Sequence, residues 1–517
     1  MVYHSAVWFL IALACVAPPA GEQPVEPVLP GEPAEPAEIV GPGAMPFRAP
    51  LPNVVVVIGA GVSGMTAAIE AADQGAKVVL LERESDVGGA AEGAQFMLFS
   101  GSPEEAAAGI VDSPAVLLEE WPSFTGGDVS DPWVQYFAYH NVPDVHDWLA
   151  ERGVSWGPPF PDASGGTVAR VHSIVGRGPA LVDALYAHLP AGALRLGVEA
   201  TGLQQDSDGR VIGVDWADVA TGESGTVWAR GVVVATGGFG WNLERVREAR
   251  PELQDVVLTR ASWKGADGNG LAMVEGIGGA TKNIDAVGLY SHSSRCPLNP
   301  ELEMLVPFLS MVPWVGMSGQ RLVDETAVND LRTSEKIVAA GGAAWMAFDL
   351  DAAFDDSLCG SESADAVYYS PDELVDLGFA RRADNLTDLA AAIGVDADAF
   401  AASILDYNEA TAGLHEDAYR DDMHGARPVI RAPMYAMPVA VSPAKMFGGV
   451  EVDLQGRVLA VDGHVIRGLY ASGELTGMAG GSLVGDAGFT GSLSAVVLGG
   501  RVAGAHAATD PILSIYK

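Results

Sequence analysis

Residues 53 to 58 (NVVVVI) form a continuous apolar run. It passes at once into GAGVSG and then into apolar positions at helical spacing as far as about Asp73. A second apolar run, Lys77 to Leu81, ends at Glu82. Short unbroken runs bounded by glycine predict strands buried on both faces, as a parallel sheet requires, and the intervening period of 3.6 predicts the crossover helix of a βαβ unit. Two later stretches repeat the pattern. GVVVA (231–235) ends in Thr236-Gly237-Gly238, and GLYAS (468–472) ends in Gly473-Glu474, followed by a helix-period run that begins near Gly491. The predicted fold class is α/β, a Rossmann-like doubly wound sheet whose strands each stop at a glycine turn.

Before this pattern begins, the chain carries "MVYHSAVWFLIALACVAPPAG", whose apolar run is too short to span a bilayer but has the length of a signal-peptide core. Residues 1 to 20 therefore read as a leader and the protein as exported, periplasmic or associated with the cell envelope. Ala12-Leu13-Ala14-Cys15 also resembles a lipoprotein cleavage box, which would leave Cys15 as a lipid anchor. Residues 21 to 50, rich in Pro and Glu, read as an extended linker with too little apolar surface to fold.

The 517 residues suffice for two packed domains. A formal charge of −38 opposes nucleic acid and anionic membrane as partners. Cys15, Cys296 and Cys359 form no CxxC, no CxxCH and no metal-ligand cluster, which argues against iron–sulfur, structural zinc and c-type haem.

The glycine turns are the candidate chemistry. In Gly59-Ala60-Gly61-Val62-Ser63-Gly64, the first glycine permits the tight turn, the second lets a pyrophosphate approach the backbone and the third allows close helix–strand packing. The helix N-terminus then receives the phosphates. Glu82 is placed to accept hydrogen bonds from adenosine ribose hydroxyls, with Arg83 beside it. This fingerprint alone does not separate FAD from NAD. Gly88-Gly89-Ala90, directly after the second strand, offers a second backbone approach to a large cofactor and favours FAD. Thr236, Gly237 and Gly238 offer a third at a strand's C-terminal edge. Glu474, after Gly473, is placed for ribityl hydroxyls. The amides of Ser492 and Leu493, at a helix N-terminus, are placed for the pyrimidine end of an isoalloxazine, where reduction gathers negative charge.

With these turns in order, the chain resembles the FAD-dependent fumarate reductase and succinate dehydrogenase flavoprotein superfamily, which includes 3-ketosteroid dehydrogenases and urocanate reductases. The motifs that carry the resemblance run from Asn53 to about Ala508: VVVIGAGVSG, LLERESDVGG, DVHDWLAERGV, GRGPALVDAL, VVVATGGFG, GADGNGLAM, GQRLVDET, LDYNEAT, APMYA, FGGVEVD and GLYASGE. The resemblance implies an FAD domain built from both ends of the chain (51–288 and 440–517) with an inserted α+β cap at about 289–439. It also implies hydride transfer between flavin N5 and a C=C or CH–CH bond activated by a conjugated carbonyl, with a cap residue exchanging the second proton.

The chain departs from that pattern where the substrate would be held. The family's proton donor falls four residues after Glu325, on Asn329, which has no titratable proton. Its neighbours Asp330 and Arg332 either take over that role or are solvated cap residues. The glycine-rich stretch 468–493 would carry the substrate-binding arginine of fumarate reductases, yet no arginine occurs between Gly468 and Gly500, and "SPAKMFGG" offers Lys445 where the family has histidine. Both absences disfavour a dicarboxylate, whose two charges would be desolvated without guanidinium partners. His292 matches the family's histidine that positions a substrate carbonyl or carboxylate, with Tyr290 on the same face of an extended segment; the alternative is a satisfied structural pair. Asp486 is either a buried acid beside the flavin or the cap of a turn, and Tyr407 and Tyr435 read as core. No histidine follows Gly88-Gly89 before residue 100, so FAD is expected to be noncovalent. No second dinucleotide fingerprint is visible, so electrons are expected to pass to or from a quinone, a small redox protein or oxygen. The competing reading is an FAD-binding electron relay without catalysis, its proton donor lost.

Overall fold

The computed structural model describes residues 53–125, 127–161, 166–327, 331–352, 357–359, 367–477 and 491–510. The leader, the linker, Cys15, Asn329, Asp330 and Asp486 lie outside the described residues, as does the side chain of His292.

The chain divides into two compact units, one drawing its described residues from 53–291, 331–342 and 441–510, the other from 292–327 and 343–440. In the first, β1 (Val54–Ile58), β2 (Lys77–Glu82), β3 (Leu194–Leu196), β4 (Gly231–Val234), β5 (Arg457–Leu459) and β6 (Val465–Ala471) form a six-stranded sheet in the order β5-β6-β4-β1-β2-β3. All its pairings are parallel except that of the edge strand β5. Val56 stands between Val232 and Val79 in register, and every residue of β1 is buried. Each such valine contributes about 1.5–3 kcal/mol on leaving water, which is why the strand is apolar at every position and does not alternate.

The helix after the first turn, α1 (Val62–Asp73), lies against α2 (Leu493–Thr509) from the far end of the chain. Small residues set that separation. A Cβ on Gly500 would stand 2.5 Å from the Ser63 carbonyl oxygen, and one on Gly504 would stand 2.3 Å from that of Ala67. Glycines in the carboxy-terminal helix thus let its backbone reach the amino-terminal βαβ unit.

Helix Leu331–Ala339, inside the stretch read from sequence as the inserted block, groups with the sheet unit. Glu335 receives two bonds from Arg250, at 2.7 and 2.9 Å, and the hydroxyls of Ser334 and Ser291 lie 2.8 Å apart.

In the second unit, Ala344–Asp349 pairs antiparallel with the first part of strand Met434–Met446. Helices Leu386–Ile393 and Ala397–Thr411 bury Leu389, Ile393, Phe400 and Ile404 against Val315, Ala347 and Ala436. Arg321 and Glu325 of the GQRLVDET motif are nearly or wholly buried and joined at 2.7 and 2.8 Å. Asp417 is a second carboxylate partner of Arg321, and the rings of Tyr407 and Tyr419 flank the guanidinium. Tyr407 donates to Met311 O at 2.6 Å, a structural use that agrees with its reading as core.

The cysteine arithmetic missed one bond. Cys296 and Cys359, both buried, form a disulfide with Cα atoms 5.3 Å apart. They are 63 residues apart, so no local spacing announces them. Pairing of Ser294 with Met304, and of Met304 with Cys359, sets the strand leading into Cys296 and the strand of Cys359 on either side of strand Glu303–Leu305.

Candidate functional site

The separated turns of the sequence meet within the first unit. Gly59 takes φ +97°, and its amide donates to Leu81 O at 2.8 Å, which closes the turn onto β2. A Cβ on Gly59 would lie 2.6 Å from Ala235 O, so the first turn rests directly on the end of β4. Gly64 is needed for a separate reason: its Cβ would fall 1.8 Å from Gly59 O. The second turn joins the first through Gly88, whose amide donates to Ala60 O at 2.9 Å.

The third and fourth turns close the set. A Cβ on Gly238 would lie 2.5 Å from Met446 Cγ and 3.2 Å from Glu474 Cδ. Gly473 stands against Ser63, and the Ser63 hydroxyl donates to Ser472 Oγ at 2.8 Å. Near the start of α2, Leu98 N donates to Gly491 O at 3.2 Å and Ser492 bridges to Met97, so the residues leading into Leu493 are fixed on strand Phe96–Leu98.

Within this cluster the space left open falls at the positions a cofactor would use. The nearest atom to a Cβ on Gly61 is 3.8 Å away; on Gly89 it is 3.9 Å; on Gly237 nothing stands within 4 Å. Gly61 has φ −70° and ψ 178°, a conformation open to any residue, so neither strain nor a neighbour demands glycine there. A ligand brought against the backbone does. The residues therefore fit a dinucleotide whose phosphates meet the N-terminus of α1.

Several predicted side chains are already engaged. Glu82 Oε2 accepts from Ala60 N at 2.7 Å and Oε1 from Glu84 N at 2.9 Å, which fixes the carboxylate at the end of β2 while each oxygen keeps a lone pair. Arg83 bonds Asp267 at 2.6 Å and so ties the second strand to the GADGNG segment. The hydroxyl of Ser63 is bonded to Ser472, and that of Thr236 stands where a Cβ on Gly270 would come within 1.9 Å of it. Ala90 is exposed.

Glu474 is half-buried, and its Oε1 accepts from Met446 N at 2.9 Å. Burial pushes its carboxyl above the ordinary range, while the amides of Met446 and Gly238 and the Lys445 cation draw it back down. Lys445 Nζ lies 5.7 Å from the Tyr290 ring centroid, on the adjoining part of the same unit. His292 follows two residues on, in strand Val287–Arg295. Arg332 is exposed on the first turn of Leu331–Ala339. Arg501, the first arginine after the glycine-rich stretch, is bonded to Glu70 at 2.8 Å and to Asp144 O at 2.8 Å.

Reasoning from sequence overlooked Trp263. Its indole stands beside Gly89 and Gly265, and the one available signal was a lone aromatic just ahead of GADGNG.

A family model described as an FAD binding domain matches residues 54–485. The fumarate reductase (cytochrome) of Shewanella frigidimarina is 30% identical over 469 residues, covering 88% of this chain and 76% of that one. A urocanate reductase of Eggerthella lenta is 27% identical over 88% of this chain and 74% of its own. A KsdD-like steroid dehydrogenase of Mycobacterium tuberculosis is 28% identical over 88% and 95%. Among solved structures, the open conformation of a flavocytochrome c3 fumarate reductase superposes with a TM-score of 0.67 at 26% identity, covering 88% of this chain and 78% of that one. Among the described residues no helix is long and apolar enough to cross a membrane. The chain belongs to the FAD-binding flavoprotein family of fumarate reductases, urocanate reductases and ketosteroid dehydrogenases, and is an FAD-dependent oxidoreductase of that family.

Proposed function

We propose that the protein is an exported enzyme that reduces or forms a C–C double bond conjugated to a carbonyl, on an organic substrate carrying at most one negative charge. The observation that carries this reading is the meeting of four glycine turns, from residues 59 to 64, 88 to 89, 236 to 238 and 473, with open space beside Gly61, Gly89 and Gly237. FAD bound there supplies hydride transfer at N5. The chain supplies binding and orientation: amides at the start of α1 for the phosphates, Glu82 for ribose hydroxyls, and Glu474 for the ribityl chain. The cofactor is noncovalent in this reading. In this reading the second unit, drawn from residues 292–327 and 343–440, is the substrate domain.

The substrate class follows from the cations. No arginine occurs between Gly468 and Gly500, and Arg501 is held by Glu70 and Asp144. Two carboxylates would then have no bidentate partner on this side, which supports a ketone, ester or single carboxylate over a dicarboxylate. The relatives' names span that range, from fumarate and urocanate reductases to a steroid dehydrogenase. His292 orients the carbonyl, and Asp330 or Arg332 exchanges the proton. The Cys296–Cys359 disulfide supports export, since such bonds persist in oxidising compartments.

The deciding experiment is anaerobic reduction of the yellow holoprotein, followed by stopped-flow addition of enones, enoates, 3-ketosteroids, fumarate and quinones. Reoxidation by an enone or monocarboxylate is expected, and it should slow at least a hundredfold in His292→Ala. Reoxidation by fumarate ahead of all others would refute the assigned substrate class. Reoxidation by quinones alone would replace the enzyme with an electron relay.

A further inference from the structure

Trp263 is 40% exposed, yet the loop that carries it is tied on every side. Lys264 bonds Glu84 at 2.7 Å, Ser262 donates to Pro443 O at 2.8 Å, and Ala266 N closes a turn on Trp263 O at 2.9 Å. Asp267 holds Arg83 at 2.6 Å. The indole is therefore kept in place by its loop and not by its own burial. A large aromatic surface left in water forfeits a stabilisation that covering it would return.

The position is specific. Cδ1 and Nε1, the pyrrole edge of the ring, lie 3.9 Å from where a Cβ on Gly89 would sit, and that same point is 4.0 Å from the Gly61 Cα. A Cβ on Gly265 would meet the same two indole atoms at 3.2 and 3.3 Å, with Arg83 Nη2 at 3.8 Å. The N–H edge thus borders the space between Gly61 and Gly89, where an added Cβ would meet nothing nearer than 3.8 Å. That is the path of the pyrophosphate, by the reasoning that places phosphates on the N-terminus of α1.

We propose that Trp263 is an FAD-positioning residue: its ring covers the pyrophosphate segment on the side away from α1, and Nε1–H donates to a phosphate oxygen. The indole has the donor, and the phosphate is an anionic acceptor, which makes the bond charge-assisted. Because the contact is with the cofactor's linker and not its ring, it sets how firmly FAD is held and leaves the substrate class untouched.

Two variants of the full chain test it, with FAD titrated into apoprotein and both indole and flavin fluorescence recorded. Trp263→Phe keeps a covering ring without the donor and should weaken FAD about tenfold; Trp263→Ala should weaken it by a further factor of about ten. Quenching of indole emission by FAD should also be smaller in Trp263→Phe than in the wild type, by the share of the missing residue. Affinities within twofold of wild type in both variants, or an unchanged quench in Trp263→Phe, would overturn the assignment. If Trp263→Ala does not fold, Trp263→Phe decides by the same two readouts. Since neither readout depends on turnover, failure here is distinct from failure of the proposed reaction.

Discussion

Replacing Gly61 and Gly64 separately by alanine should divide ligand from scaffold at a single turn. At Gly61 the new methyl meets nothing nearer than 3.8 Å, and φ −70° with ψ 178° suits alanine. The apoprotein should therefore lose no more than about 1 kcal/mol, the ordinary difference between Gly and Ala at a helix N-cap. FAD should suffer much more. A methyl on the surface that the phosphates approach would break at least one charge-assisted bond of about 1.5–3 kcal/mol, which is a loss of roughly 10- to 150-fold in affinity. Gly64 predicts the opposite order. Its Cβ would stand 1.8 Å from Gly59 O, so α1 or the turn must shift by more than 1 Å, and both are held by buried packing against α2 and β4. Overpacking of that kind costs about 1–3 kcal/mol or more before any ligand is added. Urea denaturation of the apoproteins, with FAD titration by flavin fluorescence, measures both quantities. If Gly61→Ala binds FAD as the wild type does, the phosphates do not pass there and the site is misassigned. An apoprotein destabilised as much by Gly61→Ala as by Gly64→Ala would refute the claim that the space beside Gly61 is open.

Further outcomes follow from other parts of the molecule. The paired Cys296→Ser, Cys359→Ser variant should lose about 4 kcal/mol, the closure entropy of a loop of 63 residues, with the second unit becoming protease-sensitive first; an intact mass unchanged by reduction of the native protein would remove the bond altogether. Glu105, 1% exposed, accepts from Gly101 N and Ser102 N at 2.6 and 2.9 Å while its other oxygen has no partner among the described residues. Burial first, and then the charge of Asp112, pushes its carboxyl up to about 7. The folded protein then keeps a proton that the unfolded chain releases above its ordinary value of 4.5, so this group's contribution falls as pH rises from about 4.5 to 7 and is flat beyond. Chemical denaturation from pH 4.5 to 8 should show a loss of up to about 3 kcal/mol that Glu105→Gln abolishes, and a parallel profile in both proteins would refute it. Heat or acid should release free FAD into the supernatant, and a yellow denatured pellet would show a covalent link.

Much of the site was legible because its chemistry rests on local rules. A glycine turn between a buried strand and a helix has one geometry wherever it occurs, so Gly59, Gly61, Gly64 and Glu82 could be placed from spacing alone. Asp330, Arg332 and His292 were harder, since a proton donor is defined by what it faces, and these positions have no fixed spacing to the turns. On the cofactor side, spacing could not show that the Ser63 hydroxyl donates to Ser472, 409 residues away.

By itself the sequence determined which strands are buried on both faces, where each turn exposes its backbone, and that no arginine follows the last of these strands before residue 501, because all three depend on residues near one another in the chain. Only the tertiary structure decided that α2 packs on α1, that Cys296 pairs with Cys359, and that Trp263 borders the gap between Gly61 and Gly89. Those contacts join segments tens to hundreds of residues apart, and where α2 meets α1 it is glycine that lets the two backbones come close.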